Sequence, residues 1–231
     1  MSDKPLVSVI IPVYNGADML PAALESVFEQ DYAPLEVVVV DDGSTDGSTE
    51  VAESYDGVRV IRQPNAGPSA ARNTGLANTT GPLIAFLDAD DVWPPGRLTR
   101  LVDVLNAHPS CGAALGQFDT VSETDLQPLM PAQFGFIFGT ALLRRSTFET
   151  VGPLDPSLRY SEDMDWFMRV REAGIDIIQV PEVLYLYRQH DASLTAQPDA
   201  DDFGMALAIK RSLDRRRAQG STDLPDPPTV S

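Results

Sequence analysis

Leu83-Ile84-Ala85-Phe86-Leu87-Asp88-Ala89-Asp90-Asp91 is an apolar run that ends in three carboxylates within four residues. Like charges about 4 Å apart repel by roughly 1 kcal/mol in water and by about 4 kcal/mol at an effective dielectric near 20. Such a cluster becomes favourable when a divalent cation sits among the oxygens and an anionic ligand completes its shell. In open α/β sheets, ligands bind just beyond the carboxyl ends of the strands. The run reads as a strand leading into a metal–diphosphate site. The plainer alternative is a turn in which aspartate tolerates the backbone geometry and Asp91 caps the next segment, Val92-Trp93-Pro94-Pro95.

The surrounding chain supplies the sheet that such a site needs. Leu6 to Val13 is an almost continuous apolar run, the pattern of a strand buried on both faces. After Asn15-Gly16, Leu20, Leu24, Val27 and Phe28 follow helical spacing, with Pro21 tolerable in a first turn. Leu35 to Val40 forms a second strand, stopped by Asp41-Asp42-Gly43-Ser44-Thr45-Asp46-Gly47, and Val58 to Ile61 a third. Ser69 to Ala77 fits a helix before the fourth strand, Leu83 to Leu87. The alternation predicts an α/β fold with a parallel nucleotide-binding sheet. Beyond it, the pattern predicts a helix over 97–107, a strand over 111–118, a loop over 119–133 and an extended segment over 134–143. Next come a helix over 163–173, strands over 175–180 and 183–190, and a terminal helix over 201–217. Residues 220–231, with three prolines and little apolar material, predict a disordered tail.

Composition narrows the function classes. The chain has 231 residues, 43% hydrophobic and 22% charged, enough for one large domain with a substantial core. No apolar run reaches the ~18 residues of a membrane span, the first residues lack the pattern of a signal peptide, and the single cysteine, Cys111, fits a reducing compartment. A cytoplasmic protein is expected. With 34 acidic against 17 basic residues, the formal charge of −17 disfavours nucleic acid as a partner. Lys210, Arg211, Arg215, Arg216 and Arg217 reverse that balance locally; they complement a helix C-terminal dipole or touch an anionic membrane surface weakly.

Five blocks, in order, carry a resemblance to a known family. They are Val7-Ser8-Val9-Ile10-Ile11-Pro12-Val13-Tyr14-Asn15-Gly16, Val37 to Ser48 around Asp41-Asp42-Gly43-Ser44, Asn65 to Leu76 around Arg72-Asn73, Phe86-Leu87-Asp88-Ala89-Asp90-Asp91, and Glu162-Asp163-Met164-Asp165-Trp166 with Arg169. Together they resemble the family 2 inverting glycosyltransferases with a GT-A fold, over roughly residues 5–190. The resemblance implies a single GT-A domain over 1–219: a mostly parallel sheet flanked by helices, with a smaller mixed acceptor-side region. Residues 5–91 would be its nucleotide-binding half and 92–219 its acceptor half.

Each block also has a physical role under this reading. Pro12, Tyr14 and Asn15 follow the first strand, where a tyrosine ring can stack on a nucleobase; otherwise they form a turn with a packed tyrosine. One of Asp41 and Asp42 accepts a base N–H or a ribose hydroxyl, by similarity Asp42, while Asx-turn chemistry suits Gly43-Ser44. Gly67 and Gly75 serve turn and close packing, since neither fits a Gly-x-Gly-x-x-Gly fingerprint. Arg72 reaches base or phosphate, or pairs with an acid. By the same resemblance Asp88 holds the ribose-contacting or water-mediated position, Ala89 beside it belongs to the nucleotide-sugar site, Asp90 coordinates the metal and Gly139, in Phe138-Gly139-Thr140, borders the donor sugar. An oxygen-rich shell suits Mg²⁺ or Mn²⁺, and a histidine tilts it towards Mn²⁺. The resemblance implies such a histidine after the last strand. His190 is the candidate, and alternation puts it on one strand face with Leu186 and Arg188.

Ser161-Glu162-Asp163 looks like an ordinary helix start, a cap followed by acids that complement the dipole. By resemblance it also holds the base that takes the acceptor's proton, Asp163 in preference to Glu162. Asp163, Phe167 and Val170 share a helix face, which would seat the carboxylate beside apolar side chains and raise its pKa. The function implied is metal-dependent, inverting transfer of a sugar from a nucleoside diphosphate, UDP foremost, to an acceptor hydroxyl. The acceptor is a small molecule, a lipid-linked sugar or a peptide. No Gln-x-x-Arg-Trp block is present, which argues against a processive synthase. A sugar-1-phosphate nucleotidyltransferase would need a Gly-rich basic loop near the N-terminus, and a non-catalytic nucleotide-sugar-binding module would leave the carboxylates idle.

Overall fold

The computed structural model describes residues 4–158, 160–190 and 200–220. The central strand β1 (Val7–Val13) is apolar on both faces because helices cover both. Val7, Val9, Ile11 and Val13 pack into one core with α1 (Leu20–Phe28), α2 (Ser48–Glu53) and α4 (Arg97–Ala107). Ile10 faces the other core, built from α3 (Pro68–Ala77), α5 (Arg145–Val151) and α6 (Glu162–Glu172). The period of two along the strand divides the molecule into its two layers. Ser8, the polar exception in β1, is buried and satisfied: its hydroxyl donates to Glu36 at 2.8 Å and accepts from the Gly81 N–H at 2.9 Å.

With β2 (Leu35–Asp41), β3 (Val58–Arg62), β4 (Leu83–Phe86), β5 (Ala113–Ser122), β6 (Ala141–Arg144) and β7 (Ile177–Gln189), the sheet runs β3-β2-β1-β4-β6-β5-β7. Neighbours are parallel except for β6, which is antiparallel to both β4 and β5. The fold is α/β with a mostly parallel sheet. Inserting one antiparallel strand lets β5 and β7 run in the same direction as β1 to β4, so the carboxyl ends of all these strands lie along one edge.

Several expectations need correction. Residues 119–133 are not simply a loop: β5 continues to Ser122, and Gln133 and Pro128 return to bridge Phe118 and Val121. The segment 134–143 is not uniformly extended, because a 3₁₀ turn, Phe138–Thr140, interrupts it before β6. The two strands expected over 175–180 and 183–190 are one, β7, although Pro181 lies inside it. β7 is the edge of the sheet, where a proline needs no partner, and the pairing with β5 shifts register at that point, from Leu115 opposite Gln179 to Gln117 opposite Val183. The short helices α2 and α5 add to the expected elements, since six or seven residues carry too little periodicity to register.

The basic C-terminal cluster belongs to α7 (Ala200–Gln219), and two of its arginines are structural. Arg211 pairs with Asp155 at 2.5 Å, and Arg215 with Asp165 at 2.8 Å and Glu172 at 2.6 Å, bolting α7 to α6 and its leading loop. Among the described residues no helix is long and apolar enough to cross a membrane. The tail expected over 220–231 lies, apart from Gly220, outside the described residues.

Gly75 shows how tightly α3 sits on β1: a Cβ there would stand 2.3 Å from Ile10 Cγ2. Overpacking of this kind costs about 1–3 kcal/mol. Gly75→Ala is therefore expected to lower unfolding stability by about that amount in urea titration. Adding Ile10→Ala removes the opposing methyl, so the double variant should lose less than the sum of the two single losses. Additive losses would mean that the helix simply moves away from the strand.

Candidate active site

Two neighbouring loops shape one end of the carboxyl edge. Asn15 adopts a left-handed backbone (φ 52°), and its side-chain oxygen accepts the Thr45 N–H at 2.8 Å. The N–H groups of Asn15, Gly16 and Ala17 donate in turn to Ser44 Oγ, Ser48 Oγ and Asp46 Oδ2, each at 3.0 Å. Consecutive backbone donors are thus satisfied by side chains of the loop after β2 and the start of α2, which fixes the loop after β1. Tyr14 stands on this platform 55% exposed, its ring open to a stacking partner, while Pro12 is half-buried within β1.

The paired aspartates after β2 divide their roles. Asp41 is buried and makes the Asx turn, accepting from Ser44 N at 2.7 Å and from the Thr49 hydroxyl. Asp42 accepts from Gln63 Nε2 at 2.7 Å, Ala66 N at 3.0 Å and Gly67 N at 2.8 Å. Three of its roughly four acceptor positions are therefore engaged within the protein. Its observed role is to hold the loop leading into α3, where Gly67 takes a positive φ of 88° that favours glycine.

Arg72 on α3 gathers the centre of the site. Its guanidinium is buried, donates to Glu162 Oε1 and to Asp88 Oδ1 at 2.5 Å each, and lies 5.9 Å over the Phe138 ring. Burial alone would pull its pKa down, but Asp88 and then Glu162 hold it above the ordinary value. The start of α6 is fixed by further α3 contacts: Asn73 exchanges two hydrogen bonds with the Leu154 backbone, at 2.9 and 3.0 Å. Trp166 Nε1 and Arg169 donate to the carbonyls of Gly152 and Pro153, at 3.0 and 2.8 Å. Trp166 is fully buried and belongs to the core. Ser161 does not cap the helix with its side chain; it occupies the left-handed region (φ 58°) instead.

Asp163 follows in the first turn of α6, its Oδ1 accepting the Met164 N–H at 2.7 Å. Burial, then the charge of Glu162, pushes its carboxyl pKa up to about 7, against the opposing pull of Arg72. A carboxyl titrating near neutrality, beside one that is tied to an arginine, is equipped to accept a proton.

The other end of the site is the Asp90–His190 pair, with Asp90 Oδ2 and His190 Nε2 separated by 3.0 Å. Burial and then Asp88 raise the Asp90 carboxyl, which positive charge nearby would offset. Two cis ligands of an octahedral ion with bonds of about 2.1 Å stand roughly 3 Å apart, so the pair suits a hard divalent cation. Among the described residues no three His, Cys, Asp or Glu side chains converge on one point, so of these residues Asp90 and His190 would be the ligands, with substrate oxygens or water beside them. Asp88 points to Arg72 rather than to this pair.

Behind the pair lies a network that sequence reasoning largely misses. Asp91 is buried, accepting from the Tyr185 hydroxyl and from Arg188 N at 2.8 Å; burial, then Asp90 and Asp88, raises its carboxyl well above the ordinary range. Gly139 is buried against Tyr185, whose ring carbon Cζ would stand 2.2 Å from a Cβ there, and its carbonyl accepts from the buried Arg97 at 2.7 Å. Ala89 is likewise buried. The available signal is Tyr185-x-Tyr187-Arg188, a cluster of polar groups near the end of a largely apolar strand.

Comparison with known proteins agrees with this architecture. Residues 8–162 match the model of glycosyl transferase family 2. An uncharacterized glycosyltransferase of Rickettsia typhi is 34% identical over 213 residues, covering 83% of this chain and 66% of its own length. The uncharacterized glycosyltransferase EpsJ of Bacillus subtilis is 30% identical over 220 residues, 84% of this chain and 64% of its own. The chain thus spans just under two thirds of these relatives. Among solved structures, the mannosyltransferase PcManGT from Pyrobaculum calidifontis, in complex with GDP-Man and Mn²⁺, superposes with a TM-score of 0.73 at 23% identity, over 97% of this chain and 67% of its own. Residues 1–349 of S. aureus TarS, in complex with UDP-GlcNAc, give 0.72 at 21% identity, over 90% and 66%. The fold is that of the GT-A glycosyltransferases, and the chain belongs to glycosyl transferase family 2.

Proposed function

We propose that this protein transfers a sugar from a nucleoside-diphosphate sugar, UDP-linked foremost, to a hydroxyl of a discrete acceptor by a single inverting displacement. The observation that carries the reading is the half-buried Asp163 carboxyl, raised to about 7 and adjacent to Glu162, which is tied to the same Arg72 that reaches Asp88. Tyr14 and the loop after β1 receive the base, and Asp90 with His190 would hold Mn²⁺ or Mg²⁺ against the diphosphate. When bound, such an ion supplies charge neutralisation on the departing nucleotide. Two neighbours of the same fold support this reading, since one is in complex with GDP-Man and Mn²⁺ and the other with UDP-GlcNAc.

The chain's own contribution to the reaction is orientation and proton transfer. Asp163 accepts the proton of the acceptor hydroxyl, and the oxygen attacks the anomeric carbon on the face away from the nucleotide. The new C–O bond forms as the bond to the diphosphate breaks, with the electron pair leaving on phosphate oxygen. Arg72 keeps Glu162 and Asp88 engaged, so Asp163 is left as the proton acceptor.

Asp163 must be ionised to act, so transfer at limiting substrate should fall about tenfold per pH unit below roughly 7 and level off above it. Asp163→Asn should abolish transfer while nucleotide binding, measured by calorimetry, persists; unchanged transfer would remove Asp163 from the role. The same carboxyl affects stability. Its folded pKa lies above the unfolded value of about 3.9, so the folded state binds the proton more tightly and ionisation destabilises it. Stability should decline as pH rises from about 4 through 7, and Asp163→Asn should melt above wild type at pH 8.

The donor site is tested by titrating UDP with and without Mn²⁺. Binding that strengthens with Mn²⁺, and loses that gain in Asp90→Ala and His190→Ala, is expected. Binding indifferent to Mn²⁺ in the wild type would overturn the cation assignment, and GDP binding in preference to UDP would change the nucleotide.

A further inference from the structure

Arg188 lies two residues before His190, buried, at the end of the β7 edge strand. Its Nε donates to the Asp90 carbonyl at 2.5 Å and its Nη2 to the Met19 carbonyl at 3.1 Å. Its backbone N–H donates to Asp91 Oδ1 at 2.8 Å, and the other Asp91 oxygen accepts from the Tyr185 hydroxyl. One residue therefore joins three segments that are distant in sequence: the loop after β1, the aspartate loop after β4, and the strand that delivers His190.

We propose that Arg188 is a positioning residue that couples the nucleotide-side loop to the Asp90–His190 pair. The inference rests on the reading of that pair as a cation site and of the loop after β1 as the nucleotide platform. The geometry carries it. Asp90 has its side chain on His190 and its carbonyl on Arg188, so the guanidinium fixes the peptide from which one ligand hangs. The strand residue two positions away carries the other ligand, so the same residue sets both ends of the 3.0 Å separation. The second prong of the guanidinium fork reaches Met19, immediately before α1, so movement of the nucleotide-side loop is passed to Asp90 through one rigid planar group. Residues that orient metal ligands without touching the ion typically change its affinity by about 10–100-fold. Coupling between two sites is reciprocal, so whatever the cation gains from bound nucleotide the nucleotide gains from bound cation.

The experiment uses the full chain with Arg188→Lys and Arg188→Met. Lysine keeps the charge but cannot hold two carbonyls with a planar fork; methionine keeps the bulk and removes the charge. Free Mn²⁺ is titrated by electron paramagnetic resonance without nucleotide, and UDP is titrated by calorimetry with and without Mn²⁺. Both variants are expected to bind Mn²⁺ about 10–100-fold more weakly, with the Mn²⁺-dependent gain in UDP affinity reduced in step, while UDP affinity without metal stays within a few-fold. A merely structural arginine would lower the melting temperature and leave the Mn²⁺ affinity of the folded protein unchanged, and that outcome overturns the proposal. So does wild-type coupling in Arg188→Lys, which would reduce the role to charge alone. Where Arg188→Met does not fold, Arg188→Lys and Tyr185→Phe, which removes only the hydroxyl on Asp91, decide the question by the same titrations. Asp90→Ala and His190→Ala run beside them: Mn²⁺ affinity unaltered in these would sink the cation reading itself, separately from the role of Arg188.

Discussion

The buried guanidinium of Arg72 is the interaction on which the site depends. It sits between Asp88, at the end of β4, and Glu162, at the start of α6, and touches both at 2.5 Å. Without it two carboxylates from separate elements would face one another in a half-buried space, with repulsion of about 4 kcal/mol at close range. With it, repulsion becomes a charge-assisted bridge, and the planar fork fixes direction as well as distance. The bridge also brings α6 to the sheet edge, so Asp163 arrives near the aspartate loop because its neighbour is tied there. Removing a partner from such a buried pair typically costs about 3–5 kcal/mol, because the remaining charges stay buried.

That arrangement explains why Asp163 and Glu162, adjacent in the chain, behave differently. Glu162 has the arginine. Asp163 has mainly a backbone N–H and burial, and its neighbour's charge adds to the difficulty of ionising it. A carboxyl raised towards neutrality results from denying one carboxylate the compensation given to the next. The cost appears in the fold as a concentration of buried like charge at one edge, and the tight packing of both helical layers on β1 offsets it elsewhere.

Much of this is legible in the sequence. The strands from β1 to β4 are readable because strands covered on both faces are continuously apolar and the longer helices between them keep a clear period. The division of Asp41 from Asp42 is visible only as an Asx turn somewhere in the run, since which carboxylate turns inward depends on Thr49 and Gln63 being folded against it. The second half of the chain is less legible. β7 contains a proline that a strand tolerates only at an edge, and which strand forms the edge is a property of the sheet. The basic cluster in α7 looks like a dipole complement or a surface patch because its partners, Asp155, Asp165 and Glu172, are forty or more residues away. Long-range ion pairs leave no local pattern.

His190 and Asp90 are 100 residues apart in the chain and 3.0 Å apart in space. No local rule predicts that proximity; the direction of β6 produces it. Because β6 runs against both β4 and β5, β5 lies parallel to β4, and β7 pairs parallel with β5. A β6 parallel to β4 in the same place would send β5, and β7 with it, to the opposite edge, and His190 would end on the far side of the sheet from the aspartates. The antiparallel pairing of Val92 with Leu186, whose N–H groups donate to each other's carbonyls at 3.1 and 2.9 Å, then sets how far the end of β7 overhangs the aspartate loop. A shift of one residue there would turn Arg188 and His190 to the other face of the strand. One strand's direction and one bridge's register therefore join the two halves into a single site.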